Sequence, residues 1–573
     1  MPFGGHGECE RDSSGRQTAG RQTAGPTMTG GLAAAVARVL VSSGLLGPPG
    51  PLTALRLARE IYRSGTNPYT LLAVVAARWP DRTAIVDDDG ALSYRELQVK
   101  TELLSRELSG HGIGSGHAAG IMCRNGRNFV AAMFAAGLVG ADVVPMNTDF
   151  RSTALASALS THQITTMFAD VEFVEQIRDA AASVTVIDPA TIEPQPGDPR
   201  PKVGAAGRIV LLTSGTTGVP KSVPRSPRLS LGVGVGVTLL ERTGLSVGSR
   251  IMLAAPMFHG FGLGTLILAV SLGGTIITHR RFDAETTLAR ASLQRADALT
   301  VVPIMLARIM ELPQQLRARN PVPSLRVVIS SGDRLDPSLV RRFMDTYGEV
   351  LYNAYGATEV GIGALATPAE LRRAPETVGR PVAGCQVRIF SRAGRPVGPR
   401  VTGRIFVGGE LTTDGSAGGD AKVVIDQLSS TGDMGYLDQD GYLYVLDRRT
   451  DLIISGGENI YPAEVEAVLL SHPGVAEAGV YGIADDVWGQ RVAAAIVPRP
   501  GTAVDEAELR AFCRLRLAAF KTPSQVSFVS GLPRNAAGKL LRRELRRNPG
   551  VRDVPGEAPQ ILGNPGLQAG EPH

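Results

Sequence analysis

Cysteine is scarce: the 573-residue chain has four, Cys9, Cys123, Cys385 and Cys513, and no two form a C-x-x-C pair. That excludes a disulfide framework and the common zinc sites, and scattered thiols fit a reducing cytoplasm. Charge of one sign is also lacking. Lys plus Arg number 59 against 54 Asp plus Glu, a net charge of +5 with arginines spread along the chain. A nucleic-acid partner calls for a dense basic face, so that class is set aside. The first 30 residues lack the basic patch and apolar run of a secretory signal. They are polar and glycine-rich, with RQTAG twice in tandem, and read as a disordered tail. A clean membrane span is missing too. Residues 251–278 contain no Asp, Glu, Lys or Arg, but Pro256, His259, Gly260, Gly262, Gly264, Gly273 and Gly274 interrupt them. A buried strand–helix–strand passage is expected there instead.

What the chain does have is a globular balance, 43% hydrophobic and 20% charged, and a length for about three or four units at roughly 100–200 residues each. Residues 32–46, LAAAVARVLVSSGLL, form a short apolar helix stopped by GPPGP. Packing on the body is expected of it, with weak peripheral attachment to a membrane face as the other reading. From about residue 68 short apolar strands alternate with helical stretches: HAAGIMCRNG, ADVVPMN, RIVLLTSG, ALTVVP, LRVVISSG and LYNAYG all read as strands ending in turns. That alternation predicts mainly parallel, doubly covered sheets, with ligands at the carboxyl ends of the strands. Near residue 385 the texture turns antiparallel (CQVRIF, GRIFVGG, GYLYVLD), and near 448 a small α+β unit begins. The expected fold is α/β. A tail (1–55) precedes a large domain of parallel sheets layered with helices plus an antiparallel β subdomain (56–447). A small α+β domain (448–545) and a second tail (546–573) follow.

Residues 213–222 read TSGTTGVPKS. The Walker phosphate loop needs glycine directly before its lysine. Here Pro220 precedes Lys221, which removes a backbone N–H and the φ freedom of that position. Thr213, Ser214, Thr216 and Thr217 still offer hydroxyl donors, and Gly215 and Gly218 permit close backbone approach to an anion. A hydroxyl-rich glycine loop standing alone reads as an ordinary turn.

The loop does not stand alone. PMFHGFG, NAYGATEVG, VGRPVAG, STGDMGYLDQDGYLYVLDRRTDLIISGGENIYPAEVE and PRNAAGKLLRREL follow in order. From about residue 208 to 545 the chain resembles the adenylate-forming enzymes: acyl-CoA synthetases, luciferases and peptide-synthetase adenylation domains. The resemblance implies a small domain that moves, with ATP, Mg²⁺ and CoA as cofactor and co-substrates. It assigns the loop, Lys221 included, to the departing phosphates of ATP. Tyr355 would stack on adenine beside Gly356, Thr358 would meet the α-phosphate, and Glu359 would hold the metal. Asp433 and Arg448 would contact the ribose. Asp451 would be the hinge, Gly456 and Gly457 the wall of a thiol channel, and Lys539 the bridge between carboxylate and α-phosphate. His259 would border the carboxylate site. The bland readings are helix caps at Thr358 and Glu359, surface turns at Asp433 and Arg448, and a solvated lysine at Lys539.

The sequence departs from the family pattern at Ser222, at Thr450 and at Asp333–Arg334, where small residues are usual. The expected reaction is acyl-AMP formation from a carboxylic acid, then transfer to CoA. The expected closeness is to actinobacterial fatty-acyl-CoA synthetases. A medium- or long-chain fatty acid is expected, placing the chain in fatty-acid and lipid metabolism, because residues 251–278 carry no acidic partner for an amino group. The small residues of Phe261–Gly274 suit an alkyl tunnel, with a compact aryl acid as the other choice. The acceptor is expected to be CoA, since no carrier domain follows residue 545. Alternatives are a ligase that loads a carrier protein and a non-catalytic adenylate-binding relative. The expected location is cytoplasmic, and the sequence is silent on oligomeric state.

Overall fold

The computed structural model describes residues 36, 38–45, 50–65, 67–150, 152–192, 203–213, 221–225, 233–357, 361–409, 423–448, 450–456, 458–535 and 538–547. Two sheets with parallel interiors form the large domain. In the first, of nine strands, Thr83–Asp87, Thr275–Ile277, Arg250–Leu253, Ala298–Val301, Val327–Ser331 and Leu351–Ala357 lie side by side and parallel. Antiparallel strands close both of its edges. In the second, of six strands, Thr185–Ile187, Thr166–Ala169, Ala118–Met122, Asp142–Pro145 and Ile209–Thr213 run parallel, and Lys221–Arg225 returns antiparallel.

Successive strand residues point to opposite faces, and the burial follows that rule. Ile251 and Leu253 enter one core and Met252 the core on the other face. Leu211 joins the core shared by both sheets, while Val210 and Leu212 face away from it. The shared core is filled by helix Arg127–Val139, buried at every residue from Asn128 to Val139, as expected of a helix apolar all round. Helix Tyr94–Gly110 begins at a capping box in which Ser93 and Glu96 satisfy each other's backbone N–H.

The expected passage at 251–278 is present as strand Arg250–Leu253, helix Gly260–Ser271 and strand Thr275–Ile277. Among the described residues no helix is long and apolar enough to cross a membrane. The short N-terminal helix packs on the body through Val39 and through Ser43, whose carbonyl accepts from Val247 N–H at 2.8 Å. The antiparallel unit holds Cys385–Phe390, Gly403–Gly409, Leu428–Leu437 and Leu443–Arg448.

The small domain is a five-stranded sheet built on the hairpin of Val475–Asp485 and Gly489–Pro498. Helices Pro462–Leu470 and Glu506–Arg514 cover one face. On the other face Leu540 and Leu545 pack against Tyr481, Ala493 and Ala495, which fixes the C-terminal segment carrying Lys539.

Candidate active site

Strand register builds the first cluster. Asp433 and Arg448 sit directly opposite each other on neighbouring antiparallel strands, and Arg448 Nε lies 3.5 Å from Asp433 Oδ1. The Tyr355 hydroxyl, from the large parallel sheet, donates to Asp433 Oδ2 at 2.7 Å. Burial, and then the Asp433 charge, push the Tyr355 phenol well up, so it stays a donor. Gly356 follows in the same strand, at a register shift. Thr358 and Glu359 lie outside the described residues. Their flanks, Ala357 and Gly361, are paired across antiparallel strands.

Lys539, on the small domain, lies within electrostatic range of Arg448 and Asp433 of this cluster. Its N–H donates to Asn535 Oδ1 at 2.8 Å, while its carbonyl accepts from Asn535 N–H at 2.9 Å. Gly538 closes the loop at φ +76, and a Cβ there would come within 2.5 Å of Ile304 Cγ2 in the large domain. Only glycine suits both the left-handed conformation and that approach. Burial first, and then Arg448, lower the Lys539 pKa, while Asp333, Asp433 and Asp451 act against the shift. A solvated surface lysine would show neither effect.

The phosphate-loop candidates Ser214, Gly215, Thr216, Thr217 and Gly218 lie outside the described residues. Thr213 ends a strand of the second sheet and pairs with Lys221 on the neighbouring antiparallel strand. Ser222, one of the departures, is buried, and its hydroxyl lies 2.8 Å from His162 Nε2.

His259 precedes helix Gly260–Ser271. Its Nε2 is buried and has no hydrogen-bond partner among the described residues. Burial lowers its pKa to about 4, so the ring is neutral near pH 7. Sequence reading missed what holds this segment. Asn125 donates to the Ala255 carbonyl at 3.0 Å and accepts from Met257 N–H at 2.8 Å, gripping both sides of Pro256. Asn125→Ala leaves two buried backbone groups unsatisfied. The expected cost is about 1–3 kcal/mol each, read by urea denaturation, with a raised KM for the acid.

Asp451 carboxylate oxygens lie 3.6 Å from Arg542 and 3.8 Å from Arg546. Gly456 adopts φ +57 beneath the Trp488 ring. Gly457 lies outside the described residues. Arg542 is largely buried and paired with Glu466 at 2.7 Å. Among the described residues no group of three or more His, Cys, Asp or Glu could hold a metal ion. A magnesium ion that keeps its waters and rides on phosphates needs only one or two carboxylates.

A family model described as AMP-binding enzyme matches residues 72–416, and one described as AMP-binding enzyme C-terminal domain matches residues 464–539. The chain belongs to the AMP-binding enzyme family. The 2-succinylbenzoate–CoA ligase of Bacillus cereus is 34% identical over 479 residues, covering 82% of this chain and 96% of its own. The o-succinylbenzoate CoA synthetase of Bacillus subtilis, solved with its acyl-adenylate intermediate, has TM-score 0.74 at 31% identity, covering 83% of this chain and 97% of its own. It has also been solved with ATP and magnesium ion. An amide bond synthetase from Marinactinospora thermotolerans has TM-score 0.74 at 25% identity, covering 84% of this chain and 99% of its own.

For this AMP-binding enzyme the fatty-acid expectation is overturned, and with it the place in fatty-acid and lipid metabolism. Relatives similar over four-fifths of the chain are named for an aromatic acid. The glycines read as an alkyl tunnel have another use. A Cβ on Gly262 would meet the Pro256 carbonyl at 2.1 Å, on Gly273 the Trp79 ring at 2.4 Å, and on Gly274 the Ser249 carbonyl at 2.5 Å. These three let backbones and an indole pack closely, whereas a Cβ on Gly264 would meet nothing within 4 Å.

Proposed function

We propose that this chain is an AMP-forming acyl-CoA ligase for a compact aromatic carboxylic acid of the 2-succinylbenzoate kind. The observation that carries the reaction is the buried Lys539 amine, on which Arg448 and Asp433 of the paired strands act electrostatically. In the first step a carboxylate oxygen attacks the α-phosphorus of ATP and pyrophosphate leaves. In the second the CoA thiol attacks the acyl carbon and AMP leaves.

Bringing an anion to a polyanion needs fixed cations and donors where charge gathers. Lys539 supplies the cation between carboxylate and α-phosphate, and the hydroxyls of residues 213–217 hold the departing diphosphate. Asp433 accepts from Tyr355 with one oxygen and has lone pairs left for ribose hydroxyls. Glu359 and the phosphates would hold magnesium, which would supply neutralising charge. The buried, unpartnered Nε2 of neutral His259 is costly to leave unsatisfied, and a polar group of the bound acid would satisfy it.

The test is pyrophosphate release over a panel of aromatic acids, including 2-succinylbenzoate, and straight-chain acids, with and without CoA. Release is expected with an aromatic acid, and thioester only when CoA is present. Release with straight-chain acids alone, or acyl transfer to a carrier protein and none to CoA, rejects the proposal.

A further inference from the structure

Asp333 and Arg334 stand where this family usually has small residues, and Arg334 faces the small domain. Their segment is held on both sides. Gly332 turns at φ +97 against Val302, Leu335 is buried, and Asp336 caps helix Pro337–Tyr347 by accepting from Ser338 and Leu339 N–H at 2.9 and 3.0 Å.

From this base the Arg334 guanidinium donates to the carbonyl of Ala463, in the first turn of the small-domain helix Pro462–Leu470. The same residue's N–H, one of the donors a helix start leaves without an intrahelical partner, donates to Asp447 Oδ2 at 2.9 Å. The large domain and its β subdomain thus hold both sides of one small-domain residue. Asp333, next in the chain, acts electrostatically on Lys539. Val302 lies between the two here: a Cβ on Gly332 would come within 3.4 Å of it and one on Gly538 within 3.1 Å.

We infer that Arg334 is a positioning residue that docks the first turn of helix Pro462–Leu470 and so holds Lys539 at the nucleotide cluster, serving acyl-AMP formation and not thioester formation. The inference rests on the proposed two-step reaction for its kinetic consequence, and on geometry alone for the docking. The grip is a side chain on a carbonyl oxygen, so lysine can replace arginine in part, whereas alanine cannot.

The docking is read without substrate, by hydrogen–deuterium exchange on the full chain. Arg334→Ala is expected to speed exchange at residues 463–466 and 538–541, with Arg334→Lys nearer the wild type. In kinetics, Arg334→Ala is expected to slow acyl-AMP formation roughly tenfold, the scale of one hydrogen bond to a charged group. Thioester formation from supplied acyl-AMP should stay within about twofold of wild type, and Arg334→Lys should recover part of the loss. Unchanged exchange in Arg334→Ala overturns the inference, as does an equal fall in both half-reactions. If the wild type forms no acyl-AMP from any acid, the functional reading fails, and the exchange result still decides the docking.

Discussion

Lys539→Ala is expected to lower acyl-AMP formation roughly 10²–10³-fold, the scale for losing one positioned electrostatic contact in a transition state, while leaving thioester formation from supplied acyl-AMP near wild type. The contrast is what matters. The loop itself is held without the Lys539 side chain, by Arg534, which donates to the Gly538 carbonyl and pairs with Glu477. The substitution therefore removes the amine and leaves the loop, whereas a merely structural lysine would affect both half-reactions alike.

The pH dependence gives a second reading of the same residue. Burial, then Arg448, lower the Lys539 pKa. The cationic form is present at low pH and lost as pH rises through the lowered value, earlier than for an exposed lysine. Bound acid and ATP bring anions that restore the charged form. The alkaline limb of kcat/KM, which reports the free enzyme, is therefore expected at lower pH than the limb of kcat, which reports the complex. Coincident limbs, or equal loss of the two half-reactions in Lys539→Ala, remove Lys539 from its assigned role.

The parallel sheets were legible because buried strands such as ALTVV and LRVVIS announce themselves as short apolar runs between turns. Ordered motifs carried the family. The substrate was not legible, for a physical reason. A glycine-rich stretch reads the same whether it borders a channel or lets two backbones touch, and only the neighbours of Gly262, Gly273 and Gly274 separate these cases. Asn125 was missed because its partners, Ala255 and Met257, lie 130 and 132 positions away, and nothing local marks an asparagine as a clamp. Arg334 was visible as an oddity, yet its meaning depends on a helix that begins more than a hundred residues later. The Tyr355–Asp433–Arg448 cluster stands between these extremes: the motifs named all three, but only the register of two strands places Arg448 opposite Asp433.

Arg542→Ala is the stability counterpart of Lys539→Ala, with the order of effects reversed: a large loss of folding stability and no privileged half-reaction. Arg542 opens the short helix Arg542–Arg547 and points into the small domain. Its guanidinium meets Glu466 at 2.7 Å, Asp451 at 3.6 Å and Asp447 at 4.0 Å, and its Nε donates to the Val480 carbonyl at 3.1 Å. Removing the cation that meets all three acids leaves Glu466 and Asp447 without their buried counter-charge, while Asp451 keeps Arg546, at a cost of about 3–5 kcal/mol.

The cost should depend on pH, with a definite sign. Burial raises Asp447 to about 6 even with Arg542 in place. A raised folded pKa means the folded state keeps a proton that the unfolded chain has lost, so the penalty for ionising Asp447 is absent at low pH and grows as pH climbs through that window. Without Arg542 the acids bind protons more readily still, and below the window they go neutral and need no partner. Urea midpoints of wild type and Arg542→Ala are therefore expected to lie far apart at about pH 8 and closer at about pH 5. Hydrogen exchange in strand Gly489–Pro498 should follow the same pattern, because the sheet that Arg542 helps to cover opens with it. An equal gap at both pH values, or none, rejects the buried ion network.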